Sequence, residues 1–81
     1  MSESIQVRLL SRAIQDDPDA PGNYLLRAEE WLVMGDTTRA RADFERAQTL
    51  TEALLEHASW GYVYQAYLDR VEVGLRLCAK D

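Results

Sequence analysis

The chain has 81 residues, 47% hydrophobic and 28% charged, which makes one ordinary globular domain and not a disordered segment. Nine basic residues against fourteen acidic ones give a net charge of −5. That balance argues against a nucleic-acid binder or a domain docked on anionic lipid, since both need a basic patch. Eight of the nine basic residues are arginines scattered from Arg8 to Arg76, with no cluster to make a local exception. Cys78 is the single cysteine, so no internal disulfide supports the fold. No basic segment followed by an apolar run opens the sequence, and no stretch approaches the roughly 18 apolar residues of a membrane span. The expectation is a soluble, cytoplasmic protein.

In chain order, residues 4–16 read as a first helix. Ser4 suits its N-cap, and Ile5, Leu9, Leu10, Ala13 and Ile14 recur at helical spacing. Asp16-Asp17-Pro18 ends it, because proline disfavours helical geometry at the preceding residue. Pro21-Gly22 is assigned to the same loop. A second helix spans residues 22–34, with Tyr24, Leu25, Ala28, Trp31 and Leu32 as its apolar positions. Gly35 closes it in the left-handed conformation that glycine adopts without a Cβ penalty. Asp36 or Thr37 caps a third helix over residues 37–50, with Ala40, Phe44, Ala47 and Leu50 inside. A turn is expected within residues 51–57, and a last helix over residues 58–79. No segment alternates as a strand does. The expected class is all-α, an antiparallel array of about four helices in a single domain over residues 1–81.

An internal repeat organises these helices. At a shift of 34 residues, Leu10 falls on Phe44, Arg12 on Arg46 and Ala13 on Ala47. At a shift of 36, Tyr24, Ala28 and Trp31 fall on Trp60, Tyr64 and Tyr67. Small residues such as Ala28, Ala40 and Ala47 let helix backbones approach. Large ones such as Trp31, Phe44 and Trp60 fill the wedge where the helices cross.

On these residues the chain resembles the tetratricopeptide repeat (TPR) family over about residues 5–78. Tyr24, Ala28 and Trp31 match the first helix of a repeat, Gly35-Asp36 its turn, and Ala40, Phe44 and Ala47 its second helix. Trp60, Tyr64 and Tyr67 match the start of a further repeat. Leu10, Ala13 and Pro18 match the end of a preceding one. Arg27 stands where the family prefers leucine, and Glu52 where it prefers proline. The array is then one full repeat flanked by two half repeats, whereas repeat arrays need about three repeats to stand alone.

The resemblance implies a non-enzymatic, protein-binding module. It implies a groove on the inner face of the first helix of each repeat, offering Leu25, Glu29 and Leu32, then Gly61, Gln65 and Leu68. Family members that clamp a terminal carboxylate use lysine and asparagine there. Leu25 and Glu29 stand in those places, so acidic C-terminal tails are not expected as ligands.

The last helix carries two apolar stripes. Trp60, Tyr64, Tyr67, Val71, Leu75 and Cys78 share one, while Tyr62, Ala66, Val73 and Leu77 share another. A terminal helix of a solenoid should turn a polar face outward. The second stripe, with Trp60 added from the start of the helix, is therefore read as a partner surface: Trp60, Tyr62, Ala66, Val73 and Leu77. A homo-oligomer is the first expectation, and a small chaperone or adaptor holding a hydrophobic or basic helix of another protein is the alternative.

Nothing in the sequence builds a catalytic or cofactor site. His57, the only histidine, is read as having no paired cysteine or serine and as a solvated turn residue. Glu52 and Glu56 stand one turn apart with His57 adjacent, a weak set of candidate metal ligands. Cys78 reads as a packing residue. Gly22, Gly35, Gly61 and Gly74 are isolated and form no phosphate loop. No catalytic residue, metal or cofactor is expected.

Overall fold

Ser4 starts the first helix by accepting a hydrogen bond on its side chain from the Val7 amide at 3.0 Å. In the computed structural model, which describes residues 4–57, 59 and 61–79, four helices follow one another. They are α1 (Ile5–Asp16), α2 (Pro21–Val33), α3 (Thr37–Leu55) and α4 (Gly61–Ala79). No strand occurs among the described residues, and the fold is all-α. No helix there is long and apolar enough to cross a membrane. The expected start of the last helix at residue 58, and Trp60, lie outside the described residues.

Each helix packs on the next one in sequence, and α4 also touches α2, while α1 touches α2 alone. The result is an open array with a Cα envelope of 41 × 31 × 14 Å, two helix layers thick. Tyr24, Leu25, Ala28 and Trp31 of α2 meet Ala40, Phe44 and Ala47 of α3 in the core. Val71 and Cys78 close it from α4.

The α2–α3 turn follows from two residues. Gly35 has φ +81°. The Asp36 amide then reaches back to the Trp31 carbonyl at 2.9 Å, and the Gly35 amide to Leu32 at 3.0 Å. These two bonds satisfy the carbonyls at the helix end. The Asp36 side chain accepts from the Arg39 amide at 3.1 Å and so caps the next helix.

Several sequence expectations are corrected. The inward residue of α1 is Val7, fully buried, with Ile14 packed beside it. Ile5 and Leu9, read as sharing one face with Leu10, Ala13 and Ile14, are 70% and 66% exposed. The apolar residues of α1 spread over more than one side, and the position of α2 decides which side is covered. Pro21-Gly22 is not loop: Pro21 is the first residue of α2, where its missing amide costs nothing. The α3 helix does not stop near Leu50 but runs to Leu55. Glu52 keeps the backbone amide that a proline would remove, and Thr51 is fully buried within the helix. The turn is confined to the residues after Leu55.

Candidate interaction surface

Glu29 of α2 and Arg70 of α4 face each other across the layer that these two helices share. Arg70 donates from Nε to Glu29 Oε2 at 3.1 Å and from Nη2 to Oε1, a two-point contact that fixes orientation as well as distance. The hydrogen bond to Glu29 raises the Arg70 guanidinium above its ordinary pKa, assisted by the Glu29 charge and opposed by partial burial. Both side chains are over a third exposed, 48% for Arg70 and 36% for Glu29. The pair therefore sets geometry and contributes little energy.

Apolar residues surround this pair. Leu26 and Val33 lie one turn to either side of Glu29 along α2 and are 47% and 81% exposed. On α4, Ala66 and Val73 lie one turn to either side of Arg70, with Leu77 a turn beyond Val73. Val73 and Leu77 are 53% and 45% exposed, Tyr62 is 70% exposed, and Ala66 is exposed too. The second α4 stripe thus stands on the outside of the array. Leu26 and Val33 add exposed apolar residues on α2, and Leu26 lines a cleft with Leu9 and Leu10 of α1. Sequence reading missed those two, because Leu26 sits next to the buried Leu25 and only the packed structure separates their directions.

The residues expected to line a groove do not converge. Leu25 is 1% exposed and belongs to the core, so it is withdrawn as a groove residue. It sits in one core cluster with Ala28 of its own helix and Phe44 of α3. Leu32 is half-buried against the same core. Glu29 is held by Arg70. Gln65 is exposed and donates to Asp69 on its own helix at 3.1 Å. Leu68 lines a cleft between α3 and α4. Tyr64 and Tyr67 are half-buried and meet edge to face, with centroids 6.1 Å apart.

A polar cluster that the sequence signalled only as a departure lies inside. Arg27, at the position where leucine was expected, donates to both Asp43 oxygens at 2.7 and 2.8 Å and to Ser11 Oγ at 3.0 Å. The Trp31 indole donates to Asp43 at 3.0 Å. Asp43 is buried, and its two carboxylate oxygens are matched by these three donors. The cluster ties α1, α2 and α3 together. Two opposite charges, each on an otherwise apolar helix face, were the available sign of it.

His57 has a side chain 85% exposed, with Nε2 4.0 Å from Glu56. Among the described residues no group of three or more His, Cys, Asp or Glu side chains is placed to hold a metal ion. Cys78 is buried in the core. What the surface offers is exposed apolar area at fixed positions, which suits association with another polypeptide. Compared with known proteins, the chain matches no protein-family model, no curated protein and no solved structure.

Proposed function

We propose that this chain is a non-enzymatic protein–protein interaction module of TPR-like type that self-associates through the outer stripe of α4. The observation that carries this reading is the exposure of Val73 and Leu77, at 53% and 45%, on a helix whose opposite side is already committed to the core. Burying such residues against a second copy releases roughly 25 cal/mol per Å² of apolar area before association costs. A cytoplasmic setting fits a fold that uses its only cysteine as buried packing. The test is solution mass by light scattering across a dilution series. The wild-type chain is expected to be a dimer, and the Val73→Glu/Leu77→Glu variant a monomer. An unchanged mass in the variant would remove the α4 stripe as the interface.

A second reading is an adaptor or small chaperone that holds a hydrophobic or basic helix of another protein. Leu26 and Val33 favour it, because they are exposed apolar residues on a second helix, outside the α4 stripe. The net charge of −5 favours a basic partner. A wild-type mass of one chain at every concentration would put this reading first.

A further inference from the structure

The two ends of the helix array are unlike each other, and they complement each other. At one end, α1 packs on α2 alone. Its outer side presents Ile5 and Leu9, 70% and 66% exposed and one turn apart, beside Arg8 and Arg12. A solvated end helix would carry polar residues there. At the other end, an open cleft of about 530 Å³ runs between α3 and α4. Leu68 and Leu75 with the buried Val71 form its apolar part, and Glu52 and Glu72 stand at its walls. One arginine, Arg76, also lines it and is bonded to Glu72.

We propose that these ends bind each other between copies: the outer side of α1 of one chain seats in the α3–α4 cleft of the next. Ile5 and Leu9 supply the apolar contact to Leu68 and Leu75. Arg8 and Arg12 meet Glu52 and Glu72. The charges at the two places are opposite in sign: α1 carries two arginines against one aspartate, and the cleft lining carries two glutamates against one arginine. A second copy's α1 placed after α4 also continues the alternation of the repeat, in which α1 and α3 hold equivalent residues. The contact joins two different surfaces and so propagates head to tail until it closes in a ring or runs on as a filament. It is independent of the α4 outer stripe, which lies on another side of that helix.

Charge reversal tests it, with sedimentation velocity across a concentration series and circular dichroism to verify folding. The Val73→Glu/Leu77→Glu background removes the other proposed contact, so the two proposals fail separately. In that background the chain is expected to grow in mass with concentration, and to grow less at high salt. Arg8→Glu/Arg12→Glu and Glu52→Arg/Glu72→Arg are each expected to weaken growth at least about tenfold. In an equimolar mixture of the two variants, the intact α1 of one meets the intact cleft of the other and the two reversed ends also oppose in charge, so growth is expected to return with the two chains alternating. All four reversals in one chain restore growth. Ile5→Ser/Leu9→Ser, at exposed positions where folding is spared, abolishes growth without altering charge. A single-chain mass at every concentration, or growth indifferent to both reversals, overturns the proposal.

Discussion

Gly74 of α4 lies directly on the ring of Phe44 of α3: a Cβ built at Gly74 would stand 2.1 Å from Phe44 Cζ. Phe44 is fully buried, so its ring has no solvent side to retreat to. Glycine in a helix interior costs about 1 kcal/mol relative to alanine, and here that cost is offset by close approach of two helices. Gly74→Ala is expected to destabilise the protein by about 1–3 kcal/mol net of its better helix propensity. Urea unfolding with an unchanged slope would measure the loss. A stabilised variant would mean that α4 does not sit on that ring.

Asp43→Ala strips the acceptor from Arg27 and from the Trp31 indole while Arg27 remains 21% exposed. Breaking one half of a buried pair costs about 3–5 kcal/mol. Asp43→Asn keeps one carbonyl acceptor and is expected to lose less. The ordering of the two variants in chemical denaturation checks whether charge or shape dominates the cluster.

Thr51 is fully buried, and its hydroxyl finds no hydrogen-bond partner among the described residues. Thr51→Val replaces it with a side chain of nearly the same shape. The variant is expected to be more stable by about 1 kcal/mol, because a buried polar group without a partner is a net cost. A thermal melt that moves downward would show that the hydroxyl is satisfied in solution.

Arg70→Ala removes the link to Glu29 but exposes no core. With both side chains over a third exposed, the loss is expected below about 1 kcal/mol and smaller still at high salt. The raised pKa of Arg70 places no pH dependence in the accessible range: its contribution is complete below the unfolded value and is lost only at strongly alkaline pH.

The parts of the fold legible in the sequence are those that short-range chemistry decides. Ser4, Gly35 and Asp36 act within a few residues of themselves, and each does what its residue type favours. Direction was harder to read. Along α1, apolar residues outnumber what one narrow face needs, so spacing alone grouped Ile5 and Leu9 with Ile14 on one face and passed over Val7. The end of α3 was placed too early because Thr49 and Thr51 are weak helix formers. Burial of Thr51 outweighs that preference. Arg27 and Asp43 are 16 residues apart on different helices, and each reads alone as a misfit. For the surface, the second stripe of α4 was visible as periodicity, whereas Leu26 and Val33 needed the packed position of α2.

Because α1 rests on α2 alone, its docking depends on few groups, chiefly Val7, Ile14 and the Arg27–Ser11 hydrogen bond. A segment held by so little opens on its own, below the free energy of global unfolding. Its backbone amides should then exchange with deuterium well before those of α2 and α3. The same helix that offers Ile5 and Leu9 to a neighbour is thus the one most free to leave its own domain, and a neighbour that seats it would slow that exchange.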